Sequence, residues 1–147
     1  MDAKAIIDGC FLFKTIDPPG RIVLARLAEP CDFAIGERLI NEGDEGDCFY
    51  LIVTGQIQVS TMRDGNLTPL SNLGPNSIVG EVALLTGGPR TATVIAMTET
   101  TAMRFPEKAL HDVIDNYPKA KELMARMLIY RAKDTIVKLA QASADVN

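Results

Sequence analysis

Gln56-Ile57-Gln58-Val59-Ser60 alternates polar and apolar side chains without a break, the period-two pattern of a strand with one buried face. Outward from it lie further short β-type runs at 31–35, 48–53, 93–97 and 101–105, with the alternating run itself reaching residue 62. Gly36, Gly43, Gly46, Gly55, Gly65, Gly74 and Gly80 punctuate them. That spacing suits tight turns between short strands and leaves no room for crossover helices, so a mainly β fold, a sandwich or roll, is expected in preference to an α/β sheet.

Both flanks read as helical. The first thirty residues suggest two small helices around a break at Asp17-Pro18-Pro19-Gly20, the second with Ile22, Leu24, Ala25 and Leu27 on one face and ending before Pro30. After Pro106, Ala109, Val113 and Ile114 form a short apolar face; Pro118 then opens a run to about Ala142 without internal Gly or Pro. Roughly 25 helical residues would span about 38 Å, more than a small roll needs for cover. Leu123, Met127 and Tyr130 would face the domain, while Ile129, Ala132, Ile136, Leu139 and Ser143 form a heptad-like seam suited to a second copy. Packing of the whole helix on its own roll is the alternative. The expected organisation is N-terminal helices at 1–30, a roll at 31–105, C-terminal helices at 106–143, and a tail or linker start at 144–147.

At 147 residues with 47% hydrophobic content the chain can bury one real core. A net charge of −4 with interleaved signs supplies no basic stripe, which argues against DNA or RNA as a direct partner. Cys10, Cys31 and Cys48 are odd in number and widely spaced, so neither a disulfide framework nor a thiolate metal site is indicated. No apolar run reaches membrane-span length and no signal-peptide pattern opens the chain, so a cytoplasmic protein without a membrane span is expected. Catalysis is not expected either. The single His111 falls after the roll, whereas a cupin-like metal enzyme needs several converging His and carboxylates, and no nucleophile-elbow, zinc-protease or P-loop pattern occurs.

The chemistry concentrates at 80–94, reading Gly-Glu-Val-Ala-Leu-Leu-Thr-Gly-Gly-Pro-Arg-Thr-Ala-Thr-Val. A short helical turn after Gly80 would aim backbone N–H groups outward, Gly87-Gly88-Pro89 would reverse the chain, and Arg90 would return as a cationic fork. Gly80 and Ala83 leave the backbone unshielded and Thr91-Ala92 keeps the wall beside Arg90 small. Such a site fits a singly charged phosphate diester, and Glu81 could accept from a neighbouring sugar hydroxyl while orienting Arg90. The plainer reading is a Glu81–Arg90 ion pair at a helix start.

This stretch resembles the phosphate-binding cassette of the cyclic nucleotide-binding domain family, found in catabolite-activator-like regulators, cyclic-nucleotide-dependent kinases and gated channels. Gly36, Ile40, Gly43-Asp44, Gly46-Asp47, Tyr50, Ile52, Gly55 and Val59 match the family's strand-and-turn signature, and the likeness runs from about Phe11 into the last helix. It implies a β-roll, or jelly-roll-like double-stranded β-helix, with N-terminal helices and a long C-terminal helix. It further implies that Glu81 takes the ribose 2′-hydroxyl, that Arg90 takes the cyclic phosphate with the N–H groups of Ala83 and Thr91, and that Gly80 allows close approach. Val59, Leu70, Ser71, Leu73 and Val82 would line the sugar and base pocket, and Thr135 or Arg131 on the long helix would reach the base.

Thr91 resembles the cyclic GMP-preferring kinase type, although channel members with Thr there also bind cyclic AMP; cyclic AMP is expected, with cyclic GMP second. Activator-type members continue into a DNA-reading helix-turn-helix, which is not found before Asn147. The expectation is therefore a regulatory sensor for signal transduction, without cofactor, whose long helix passes the signal to an effector domain or partner protein. The competing reading is a degenerate, non-binding dimerisation or scaffold module.

Overall fold

The structure, a computed structural model, describes residues 2–145, with side chains described through residue 141. Two short helices come first. Helix α1 (Ala3–Gly9) is capped by Asp2, whose carboxylate accepts from Lys4 N–H. A single 3-10 turn at Phe13–Thr15 leads to α2 (Pro18–Leu27). The 17–20 break proves to be the start of this helix: Asp17 is its N-cap, accepting from Gly20 N–H at 2.9 Å, and the two prolines occupy the first turn, where their missing donors are not needed. Of its expected apolar face, Leu24 is buried and Ala25 and Leu27 are partly so, but Ile22 is exposed.

Eight strands among the described residues then form two antiparallel sheets. One has the order β1 (Glu29–Phe33), β8 (Thr100–Pro106), β3 (Cys48–Thr54), β6 (Ile78–Val79); the other has β2 (Arg38–Ile40), β7 (Thr93–Ala96), β4 (Ile57–Arg63), β5 (Asn66–Leu73). This is the expected roll with its flanking helices. The alternating run is β4, central in its sheet between β7 and β5. Asp64 and Gly65, both at positive φ, make the two-residue hairpin turn into β5. Pro69 is tolerated in β5 because that strand lies at the sheet edge, beside the register shift at Val59 and Ser60.

Strand β3 is buried along nearly its whole length because its sheet is covered on both faces. Cys48, Tyr50 and Ile52 join Ile57, Val79 and Val94 between the sheets. Phe49 and Leu51 face the other way, into a larger cluster with Ile7, Phe13, Leu24, Met103, Phe105 and Leu110 from the flanking helices and β8. Phe105 is stacked on Phe49 at 4.9 Å between centroids and tilted against Phe13 at 5.7 Å.

Short helix α3 (Glu81–Thr86) follows β6, and after β8 come α4 (Glu107–Asn116) and the long α5 (Pro118–Asp145). Tyr117 joins the last two. Ala120 and Met124 bury the start of α5 in the helical cluster, with Leu123 and Met127 packed beside them. Tyr130 does not face the domain as expected; it is 72% exposed, because it lies about 120° round the helix from Met124, the buried position of the preceding turns. Further along, Arg63 Nη1 donates to the Leu139 carbonyl at 2.9 Å, tying α5 to the end of β4. Of the expected seam and tail, the Ser143 side chain and residues 146 and 147 lie outside the described residues. No helix among the described residues is long and apolar enough to cross a membrane.

Removing the Phe105 ring would open a cavity where both helical cover and sheet converge. Phe105→Ala is expected to lose about 3–5 kcal/mol of unfolding free energy in urea titration, and Phe105→Leu clearly less. Equal midpoints for parent and Phe105→Ala would contradict this placement of the core.

Candidate functional site

The site is assembled at the C-terminal end of β6. Gly80 stands before α3 with φ of 91°, a left-handed conformation that a β-carbon resists, and a β-carbon would also come within 2.9 Å of Arg90 Nη1 and 3.0 Å of Ile40 Cδ1. Gly87, also left-handed, closes the helix by donating its N–H to the Ala83 carbonyl. The chain then returns through Pro89 to Arg90.

That return is laced to the 43–46 loop. Arg90 N–H donates to the Asp44 carbonyl at 2.8 Å, Gly43 N–H donates to the Arg90 carbonyl at 2.9 Å, and Glu45 bridges Pro89. Gly46 packs directly beneath the guanidinium; a β-carbon there would lie 3.3 Å from Arg90 Cζ. Arg90 is 6% exposed. Its Nη1 donates to the Gly80 carbonyl at 2.7 Å and its Nη2 to the Cys48 carbonyl at 2.8 Å, with Cys48 Sγ at 3.5 Å. Among the described residues no carboxylate lies within ion-pair distance of it. Neither the plain Glu81–Arg90 pair nor an orienting role of Glu81 toward Arg90 is present: Arg90 is oriented by backbone carbonyls.

Glu81 is fully buried, and its partner comes from the other end of the sequence. Arg131 of α5 donates Nη1 to Glu81 Oε1 and Nη2 to the Ile78 carbonyl. Glu81 Oε2, also buried, has no hydrogen-bond partner. One carboxylate oxygen is thus neutralised and held while the other is left unmatched, a state that is costly unless something donates to it.

Between these groups and α5 lies a cavity of about 670 Å³, within the roughly 300–1,000 Å³ range of small-molecule sites. All the residues singled out in the sequence line it: Val59, Leu70, Ser71 and Leu73 from β4 and β5, Gly80, Glu81, Val82 and Ala83 at α3, Arg90, Thr91 and Ala92 beyond it, and Arg131 and Thr135 from α5. The structure adds Thr61, Val94, Leu128, Asp134 and Leu139, among others. Leu139 stood out only as part of the expected seam, whose Ile129, Ala132 and Ile136 also line the cavity, and the others carried no local signal; they reach the wall through strand pairing and through the path of α5. His111, by contrast, pairs with Glu107 at 3.1 Å on an exposed face of α4, outside the cavity.

Burial raises the Glu81 pKa above the usual carboxylate value, with Arg131 chiefly opposing it. A carboxyl whose folded value exceeds its unfolded one contributes stability that is full below about pH 4 and is lost as pH climbs through the folded value. Glu81→Gln should therefore be more stable, relative to the parent, at pH 7 than at pH 3.5. Denaturant midpoints at the two pH values measure this, and a reversed order would mean that the carboxylate is not desolvated.

Three comparisons bear on this geometry. Residues 30–117 match the model of the cyclic nucleotide-binding domain. The chain is 30% identical over 130 residues to a CRP-like cAMP-activated global transcriptional regulator of Mycobacterium tuberculosis, covering 88% of this chain and 58% of that one. It is 40% identical over 93 residues to a cAMP-dependent protein kinase regulatory subunit of Dictyostelium discoideum, covering 60% and 28%. It thus spans little more than half the length of the first and less of the second. Among solved structures, the regulatory domain of Toxoplasma gondii PKA with cAMP superposes with a TM-score of 0.74 at 26% identity, over 80% of this chain and 46% of that one. The family match takes in every strand but the first residue of β1, the whole of the 80–94 loop and the buried Arg90, and on it the chain belongs to the cyclic nucleotide-binding domain family.

Proposed function

We propose that this chain is a cyclic mononucleotide sensor, binding cyclic AMP in preference to cyclic GMP, and that it regulates an effector through its C-terminal helices. The observation that carries this reading is charge balance in the cavity. Glu81 is neutralised by Arg131, whereas Arg90 keeps a buried guanidinium facing only neutral carbonyls and a thiol. A buried, uncompensated cation is costly and calls for one negative charge. A cyclic phosphate diester supplies one, a nucleoside triphosphate several.

The second polar demand is the unmatched Glu81 Oε2, which suits a sugar hydroxyl. With phosphate at Arg90 and the N–H groups of Ala83 and Thr91, and ribose at Glu81, the base extends along the apolar wall of Val59, Leu70 and Leu73 with Ser71 beside it. Thr135, one helical turn beyond Arg131, then faces the base. Because Arg131 already holds Glu81, it serves the sugar end in this arrangement. Gly80, Val82 and Ala92 keep the phosphate end narrow. A degenerate scaffold module has no use for an unpaired buried Arg90, and a cupin-like enzyme has no use for a cavity whose only charged side chains besides Glu81 are Arg90, Arg131 and the Lys138-paired Asp134 among the described residues. We therefore read the chain as binding without catalysis.

Closure follows from the same contacts. Ligand shifts α5 only if it binds the closed helix position more tightly than the open one, and contacts of the base with Leu128 and Thr135 of α5, made only in the closed position, would provide that difference. Ile129 and Ile136, seven residues apart, line the cavity yet are 57% and 67% exposed, with Tyr130 and Val137 beside them. This seam suits a homodimer through α5. Its three free cysteines suit a cytoplasmic location, and signal output to DNA would need a separate effector domain.

Calorimetric titration with cyclic AMP and cyclic GMP tests the core of this reading, which fails if the intact chain takes up neither. Arg90→Ala should cost roughly 2–5 kcal/mol of binding, and Glu81→Ala should weaken it by a smaller factor. Thr91→Ala is expected to move the ratio of cyclic GMP to cyclic AMP affinity; an unmoved ratio removes Thr91 from ligand choice. Sedimentation of Ile136→Glu beside the parent checks the seam, with the parent dimeric and the variant monomeric.

A further inference from the structure

We infer that Thr61, polarised by Glu42, is a fixed hydrogen-bond acceptor in the cavity wall that selects a purine with an amino group at its 6-position over one with a carbonyl there, an inference that rests on the cyclic nucleotide reading above. Thr61 follows Val59 by two residues on β4, so the two share a strand face and both line the cavity. Its place along the cavity is set by α5. Arg131 holds the sugar end at Glu81, Thr135 stands one turn further, and Leu139 one turn beyond that, where Arg63 of β4 donates to its carbonyl at 2.9 Å. Thr61, two residues before Arg63, therefore belongs to the base end.

What distinguishes this hydroxyl is that its proton is already committed. Thr61 Oγ1 donates to Glu42 Oε1 at 2.6 Å, and the other carboxylate oxygen, Oε2, accepts Met62 N–H at 2.8 Å. A carboxylate accepts and does not donate, which fixes the direction of the first bond. The second has its reason in the sheet: β4 pairs with β7 only as far as Ser60 and Thr93, so Met62 N–H has no strand partner on that side and the Glu42 side chain stands in for one. Glu42 is itself pinned, its N–H donating to Oγ1 of the buried Thr93 at 3.0 Å, and the next residue, Gly43, donates to the Arg90 carbonyl. The loop that mounts the cation thus also sets the polarity of the base wall.

A hydroxyl whose proton is committed offers a ligand only its lone pairs. Ser71 and Thr135, the other hydroxyls placed at the base, make no side-chain hydrogen bond among the described residues, so each can turn to donate or to accept. Asp134 also lines the cavity, but its carboxylate is paired with Lys138 at 3.0 Å. Of the three hydroxyls only Thr61 has a fixed polarity. The 6-amino group of adenine donates to it. The 6-carbonyl of guanine or hypoxanthine sets lone pairs against lone pairs, and turning the Thr61 proton toward the base leaves Glu42 Oε1 short of a donor.

Calorimetric titration of the full chain with cyclic AMP and cyclic IMP, which exchange a 6-amino group for a 6-carbonyl, tests this. The parent should bind cyclic AMP at least about tenfold more tightly. Thr61→Val, which keeps the shape and removes the hydroxyl, should bring the two affinities within about threefold of each other, and Thr61→Ser should keep the parent's ratio. In Glu42→Gln the amide oxygen serves Met62 N–H, so the amide N–H donates to Thr61 Oγ1 and the hydroxyl proton is released toward the base; cyclic IMP should then bind at least as tightly as cyclic AMP. A purely structural role of Glu42 would weaken both ligands alike. The parent's ratio persisting in Thr61→Val, or in a Glu42→Gln variant whose denaturant midpoint shows it folded, overturns the assignment, as does a parent that binds both ligands equally. A parent that binds neither ends the functional reading itself, and this assignment with it.

Discussion

The structure depends on keeping one guanidinium charged, buried and aimed. Arg90 has no acidic partner among the described residues, so its position is set by carbonyls of Gly80 and Cys48, which belong to segments far apart in sequence. Several features elsewhere follow from that requirement. The 43–46 loop must lie against residues 89 and 90, Gly46 and Gly80 must lack side chains, and β3 and β6 must pair so that Cys48 and Gly80 arrive at the same place. Gly43, Asp44, Glu45 and Gly46 are therefore a mounting for Arg90, and none of them lines the cavity.

Glu81 and Arg131 solve a complementary problem. A fully buried carboxylate cannot stand alone, and the neutralising charge is brought by α5, not by the neighbouring loop. The cavity's electrostatic balance is thereby tied to the position of a helix. Arg63 on the Leu139 carbonyl holds a later turn of the same helix, so α5 is fastened on either side of the cavity-lining Thr135.

Much of this was legible in local pattern, and what was not has a common cause. The period of β4, the glycine spacing and the Pro-initiated last helix each needed only near neighbours, and each matches an element observed. Strands β2 and β6 are three and two residues long, too short to show a period, and β5 was hidden by Pro69, which only its edge position makes acceptable. Glu81 and Arg90 stood out as a pair by type and spacing, yet they do not bond to each other; their partners lie 50 residues ahead and 42 behind. The Tyr117 contact with Asp17 spans 100 residues. Hydrogen bonding and ion pairing over such separations are decided by tertiary packing, to which one-dimensional spacing is blind.

The doubly covered sheet has a consequence for how such a chain can vary. Along β3, alternate residues serve different ends: Phe49 and Leu51 knit the helices to the sheet, while Cys48, Tyr50 and Ile52 fill the space behind the binding cavity. Strand β8 divides in the same way, with Met103 and Phe105 on one side and Ala102 on the other. Opposite faces of a shared backbone thus serve two cores, the helical cover on one side and the packing between the sheets on the other. Volume-conserving substitutions between the sheets can therefore accumulate and reshape the support of the cavity wall without loosening the helical cover.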